Sequence, residues 1–399
     1  MMSLRSVVML AMFIALLVEA MAPGSISGTV SGSVAESLVP SSAVLEAVLC
    51  ILMFGAAVQL RPRGPWRTVV LSGNLTLLTT VLAVAVVAAG MRWVCARLGV
   101  ELPLAYAFAF AALITPTEPL AMLRAATLGG SISAGRRVMA EPLLAGMIGL
   151  VIYEVALARA DGVRGAISAL ALEQAGGALL LGVCLGLAMM WLLRLRAHAL
   201  FAAVAAVGVI LACWYAGQSL PLNGPFAAAC AGLLIAFQRD EIFGDGAQRE
   251  RFEAWSAWLA NLLAALLPIA LGIALLNMEE VSSRHIAAAA FLLPLLVLVP
   301  RALAAAAVWL VGLRVRIPDE LPKVAAWSGL RGGFAAALVL MLPEGADAAM
   351  IAVTTFAVLV FSLLLQWPAF GLYLVSKRPL DPARGEEGGE DANRKQTPV

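Results

Sequence analysis

The sequence predicts an all-α polytopic membrane protein of about twelve transmembrane helices, two of them broken at bilayer depth. Three observations carry this expectation. Hydrophobic residues make up 62% of the 399-residue chain and charged residues only 13%, with a mean hydropathy of +0.94; a soluble domain carries about 25% charged residues. Apolar runs of spanning length recur along the chain, separated by short charged loops. Two of those runs combine helix breakers with one charge: Thr115-Pro116-Thr117-Glu118-Pro119 and Ser328-Gly329-Leu330-Arg331-Gly332-Gly333.

In chain order the expected spans are Leu4–Met21, Ala43–Leu60, Thr68–Met91, Leu104–Leu128, Val138–Leu157, Ile167–Leu193, Ala199–Ala216, Leu222–Phe237, Ala254–Leu276, Ile286–Leu313, Val324–Leu342 and Ala348–Val375. The first follows Arg5 and ends near Ala20-Met21-Ala22, which also resembles a secretory signal peptide. Its reach back to Leu4 and its fit to the topology favour a retained span. The eighth is short against the roughly 20 residues that a span needs, and Pro225 lies inside it. Nineteen Lys and Arg fall in the loops of one side and five in those of the other, while Arg124, Arg301 and Arg331 lie within spans. Both termini are therefore expected in the cytoplasm.

The spans group into a repeat. Residues 68–159 and 286–375 each form a triplet with a broken middle helix, at 104–128 and 324–343 respectively. Their offset is an odd number of spans, so the triplets run with opposite orientation and their breaks can meet near the midplane. Residues 1–60 and 165–276 are left as scaffold spans. Residues 379–399, polar and rich in Gly and Glu, read as a disordered cytoplasmic tail.

Several function classes are disfavoured. No basic run suits nucleic acid. The five cysteines (Cys50, Cys95, Cys184, Cys213, Cys230) are scattered singly in apolar runs, and the two histidines, His198 and His285, sit at span edges, so no metal site is expected. No nucleophile stands with a base and no phosphate loop is visible, which argues against an enzyme and against a cofactor. The glycines Gly176, Gly177, Gly182 and Gly186 have the spacing of helix packing rather than of ligand binding.

The charges inside spans each need a reason, because an ionisable side chain at a helix centre costs about 3 kcal/mol or more. Glu118 stands beside the Thr115 and Thr117 hydroxyls and reads either as a cation- or proton-binding carboxylate or as an acceptor for backbone donors freed at the break. Glu141 and Arg301 read as a structural ion pair, since either charge alone in hydrocarbon is far more costly. Arg331 attracts an anionic group, balances Glu118, repels cations from a wrong path, or bonds carbonyls freed by Gly329, Gly332 and Gly333. Glu19, Glu46 and Glu154 lie near outer span ends and are expected to be hydrated, and Arg124 to snorkel.

With these residues in view, the chain resembles the monovalent cation:proton antiporter family, the sodium/proton exchanger group. That family's first broken helix typically reads Ser/Thr-Pro-Thr-Asp-Pro-Val-Ala, and Thr115 to Ala121 here reads TPTEPLA. Its second typically reads Trp/Tyr-Gly-Gly-Leu-Arg-Gly-Ala, and Trp327 to Gly333 reads WSGLRGG. The stretches Phe361 to Gln366 and Phe252 to Leu275, with Asn261-Leu262-Leu263, are also similar. The resemblance implies a six-helix core moving elevator-like against a scaffold, a homodimer, and an ion pair at Glu141 and Arg301.

The chain departs from the family at the chemistry. Where the family's ion-carrying helix usually reads Glu-Ser-Leu-Leu-Asn-Asp, this sequence has Glu141-Pro142-Leu143-Leu144-Ala145-Gly146. The usual Asp is Gly146, its Asn neighbour Ala145, the Ser ligand Pro142, and a Glu often found in the second span is Gly55. The Asp of the first break is Glu118, one methylene longer, whose carboxylate has two candidate destinations: the space left at Gly146, or Arg331. A desolvated hard cation needs several oxygen ligands, and Glu118, Thr117 and backbone carbonyls remain. The resemblance leaves two functions open. One is exchange of a monovalent cation, Na⁺ or K⁺, for protons through Glu118. The other is a transport-silent or repurposed relative acting as sensor, partner subunit or carrier of another solute. The expected partners are the cation, the proton, the lipid bilayer of a bacterial-type inner or plasma membrane, and a second copy of the chain.

Overall fold

The computed structural model describes residues 40–60, 66–118, 140–195, 198–243, 246–276, 331–343 and 346–366, with a few single residues between 289 and 306. All regular structure among them is helical. The helices are α1 (Ser42–Gln59), α2 (Trp66–Arg97), α3 (Leu104–Ile114), α4 (Ala140–Ala160), α5 (Ile167–Leu195), α6 (Ala199–Ser219), α7 (Gly224–Ile242), α8 (Gly246–Leu276), α9 (Gly333–Leu340) and α10 (Ala346–Phe361). The last continues as a short π-helix, Ser362–Gln366. Six stretches are long and apolar enough to cross a membrane: α1, Thr76–Arg97, Glu141–Ala160, α5, α6 and α8. The expected first span, most of the tenth including Arg301, and Gly329 in the second break lie outside the described residues.

Helix ends follow local chemistry. α3 stops at Ile114, two residues before Pro116, which has no N–H to carry the helical ladder on. α7 begins at Gly224, so Pro225 marks the start of the expected eighth span rather than interrupting it; in a first turn the missing N–H removes no helical bond. Asn223 caps that turn, its Oδ1 accepting the Phe226 N–H at 2.8 Å. At α6, His198 Nδ1 accepts the Leu200 N–H, a capping role for one of the two histidines. α2 runs past the expected Met91 to Arg97, whose guanidinium lies 5.2 Å from the Trp93 ring centre. α2 and α4 close alike: Gly99 (φ 70°) and Gly162 (φ 80°) take the left-handed turn, and the next residue bonds back, Val100 N to Cys95 O and Val163 N to Ala158 O, both at 2.9 Å.

Small residues let the helices meet backbone to backbone. Gly182 and Gly186 of α5 lie against Ala227, Cys230 and Ala231 of α7. Gly232 of α7 lies against Phe54 and Ala57 of α1. Gly55 of α1 lies against Ser256 and Ala260 of α8. α1 therefore joins two apolar cores, one shared with α5–α7 and the other with α2–α4 and α8–α10. Polar staples fix α1 at both ends. Gln59 Nε2 donates to Glu253 O at 2.7 Å, and at the opposite end Trp214 Nε1 donates to Ala43 O at 2.8 Å. Glu46 accepts from Gln218 Nε2 there. Leu172, Leu180, Leu187 and Trp191 of α5, with Leu200, Val204, Leu211 and Tyr215 of α6, point out of the bundle. Those rows carry the apolar surface that a bilayer requires of its outward faces.

This packing separates two kinds of glycine. A Cβ at Gly232 would meet the Phe54 carbonyl oxygen at 2.9 Å and the Ala57 Cβ at 2.8 Å, whereas one at Gly208 would meet nothing within 4 Å. Gly232→Val should cost about 1–3 kcal/mol through overpacking. Gly208→Ala should gain about 0.5–1 kcal/mol through the lower entropy of its unfolded chain. Melting temperatures of the two variants in detergent should move in opposite directions.

Candidate functional site

The end of α3 and the start of α9 meet. α3 ends at Ile114 and the chain continues non-helically through Thr115 to Glu118; Arg331 and Gly332 lead non-helically into α9. Each break leaves orphan backbone groups, the last carbonyls of α3 and the first N–H groups of α9. The charged residue of each break satisfies the helix end of the other. Arg331 Nε donates to the Ile114 carbonyl at 2.6 Å. Glu118 Oε2 accepts the Gly333 N–H at 3.2 Å. Both side chains are about 5% exposed. A cation thus stands at a helix C-terminus and an anion at a helix N-terminus, the arrangement that the helix dipole favours. The Arg331 N–H donates in turn to Ser362 Oγ at 2.9 Å, tying the second break to the π-helix.

The fit at Gly332 is close. A Cβ there would fall on Glu118 Oε2 and lie 2.8 Å from Cδ, so the carboxylate occupies the space that any side chain at 332 would need. Gly333 is confined from the other side: its Cβ would lie 2.7 Å from the Ala264 carbonyl oxygen of α8.

α4 supports the crossing with one face, Gly146, Gly149 and Tyr153, at i, i+3 and i+7. At Gly149 a Cβ would lie 2.8 Å from both Ala112 O and Pro116 Cγ, so the first break rests on that glycine. Tyr153 Oη donates to Leu338 O at 2.7 Å, satisfying one of the last carbonyls of α9. A Cβ at Gly146 would find Met53 Cε at 3.7 Å, Met53 Sδ at 3.8 Å and Phe334 Cζ at 3.9 Å. A thioether and a ring therefore face this position. The carboxylate of Glu118 lies over Gly332 and accepts the Gly333 N–H, a backbone donor freed at the opposite break.

Of the other expected site residues, Thr117 is buried, and Thr115 Oγ1 is buried with no hydrogen-bond partner among the described residues. Pro142 and Ala145 are buried in α4, and Glu141 is half-buried in its first turn. Gly55 faces Ser256 and Ala260, a packing seam. Arg301 and Gly329 lie outside the described residues. Arg331 bonds a freed carbonyl, as one sequence reading held, but one belonging to the opposite break. Sequence reasoning missed Met53, Phe334, Ser362 and Tyr153. Gly333, where the resembling family carries Ala, was the one visible sign of the close approach to α8.

Comparison with known proteins adds to this geometry. The family described as sodium/hydrogen exchanger, transmembrane, matches residues 5–374. The Na(+)/H(+) antiporter NhaP of Pseudomonas aeruginosa is 27% identical over 301 residues, covering 72% of this chain and 70% of that protein. The sodium proton antiporter MjNhaP1 from Methanocaldococcus jannaschii, solved at pH 8, superposes with a TM-score of 0.67 at 16% identity, over 92% of this chain and 99% of that one. A second structure of the same antiporter, from electron microscopy, gives 0.63 over 92% of each chain.

The hydrogen bonds that close the crossing rank by charge. Arg331→Met, which strips a charged donor from the Ile114 carbonyl, should cost about 1.5–3 kcal/mol, and Tyr153→Phe about 1 kcal/mol. Thermal melting of the purified variants should show Arg331→Met as the larger loss.

Proposed function

The chain belongs to the sodium/hydrogen exchanger family, and from that premise we propose that it exchanges a monovalent cation, Na⁺ or K⁺, for protons by alternating access, with Glu118 as the carboxylate that binds the two in turn. One observation carries the assignment to Glu118: a carboxylate is buried where two broken helices cross. One carboxylate suffices for exchange, because cation and proton exclude each other from it and each biases the carrier by its own binding. The Thr115 hydroxyl, buried without a partner among the described residues, and Thr117 are oxygens near Glu118 in sequence that a dehydrating cation can use. The cation is substrate here, and the protein is a transporter rather than an enzyme.

The wider architecture belongs to the same proposal: twelve spans, an inverted repeat whose breaks cross, both termini in the cytoplasm, and a homodimer through the scaffold helices. Glu141 and Arg301 are assigned as a structural ion pair joining the two triplets, since each charge needs a partner in hydrocarbon.

A second reading is favoured by a specific observation. Gly146, which replaces the usual Asp, faces Met53 and Phe334, so that position offers a cation no oxygen side chain. On this reading the chain is a transport-silent relative.

Proteoliposomes with an internal pH dye separate the two. Antiport predicts a proton flux on addition of Na⁺ or K⁺ that Glu118→Gln reduces at least 100-fold, roughly the loss expected when the one titrating ligand goes. Absence of flux from folded, reconstituted protein between about pH 6 and 9, the range around neutrality where carriers titrate, would establish the silent relative instead.

A further inference from the structure

The bond between Glu118 and Gly333 bears on the proposed exchange, and its significance rests on Glu118 being the cation-binding carboxylate. A transported cation and a backbone N–H want the same lone pairs of a carboxylate oxygen. Oε2 of Glu118 is already engaged by the Gly333 N–H at 3.2 Å, at the positive end of α9. It reaches that N–H by lying across Gly332, in the space that a Cβ there would need. The family resembled in sequence carries the shorter Asp at the position of Glu118. With the backbone held in place, one methylene less withdraws the carboxylate by about 1.5 Å, a carbon–carbon bond length, which takes it beyond hydrogen-bond range of the Gly333 N–H.

We propose that the Gly333 N–H is an internal competitor for the transported cation, that it holds the Glu118 carboxylate in the cation-free carrier, and that the glutamate length at 118 and the bare backbone at Gly332 together make this possible. Glu118 and Gly332 are then a coupled pair that sets cation affinity. The α9 N-terminus gives Oε2 of this buried carboxylate a donor that does not depend on a cation. The cation must displace the N–H to bind, and its apparent affinity is lowered by that competition. The packing of Gly333 on the Ala264 backbone gives the N–H a fixed position.

The test is a melting series on full-length protein purified in detergent, titrated with NaCl or KCl against choline chloride at constant ionic strength. A bound cation raises the melting temperature as its concentration passes the dissociation constant. The set is wild type, Glu118→Asp, Gly332→Ala, the double variant E118D/G332A, and Glu118→Gln. The competitor predicts a half-saturating cation concentration about tenfold lower in Glu118→Asp than in wild type, the worth of one charge-assisted hydrogen bond. It also predicts that Gly332→Ala lowers the cation-free melting temperature in the wild-type chain but changes it little in the Glu118→Asp background, where no carboxylate lies over residue 332. A cation response lost in Glu118→Gln but no tighter in Glu118→Asp overturns the competitor alone. A response that persists in Glu118→Gln overturns the carrier role of Glu118 and the competitor with it, as does no response in any variant. Should Gly332→Ala fail to fold, Glu118→Asp decides by itself, because it removes reach without adding an atom.

Discussion

Hydrocarbon offers no partner to a backbone N–H or carbonyl, and the crossing of the two breaks is this chain's answer to that constraint. Arg331 reaches the last carbonyl of α3, and Glu118 reaches the first N–H of α9. Each charge serves a helix end from which it is separated by more than 200 residues. Neither half can be satisfied by itself, so the two breaks form as one unit or leave orphan groups costing several kcal/mol each. Glycines admit this crossing: Gly332 leaves room for the carboxylate, Gly149 for Pro116, and Gly333 for the backbone of α8. The surrounding packing then serves as support for a charged exchange between helix termini.

The same arrangement recasts the departures at Pro142, Ala145 and Gly146. At Gly146 the α4 face is apolar, with Met53 and Phe334 against it, and the polar group that α4 supplies is the Tyr153 hydroxyl two turns on. The described polar contacts at the crossing are concentrated where α3 and α9 end, on Glu118, Arg331, Ser362 and the Ile114 and Leu338 carbonyls. A carboxylate one methylene longer suits that geometry, because the N–H it meets lies on the opposite broken helix.

The large features were legible in the sequence because they depend on runs and breakers. Apolar length announced α1, α5, α6 and α8, and Pro116 and the glycines near Arg331 announced the breaks, because helix interruption is a local property. Helix ends were less legible. The Schellman closure at Gly99 lies beyond the run that ends at Met91, where hydropathy falls before the helix ends, and the Asn223 cap lies inside the run drawn from Leu222, which begins before the helix does. That Glu118 and Arg331 bond freed backbone groups was legible as one alternative, but that each serves the opposite break was not. Their partner groups are a backbone N–H and a backbone carbonyl, which leave no mark on the residue letters. Gly55, where the familiar pattern often carries Glu, faces the Ser256 carbonyl and the Ala260 methyl, a seam between helices that the residue letter does not announce.

Ser256, Ala260 and Ala264 stand at successive i+4 positions of α8, facing Gly55 of α1 and Gly333 of α9. Such a row is a smooth rail. Interlocking side chains resist shear in steps, because each knob must leave one hole before it enters the next. A glycine against this row of small residues has no knob to lift out of a hole. Motion across the row is another matter, since the helices already touch backbone to backbone and cannot close further. Along this seam backbone contact, not interlocking side chains, sets how near α1 and α9 come to α8.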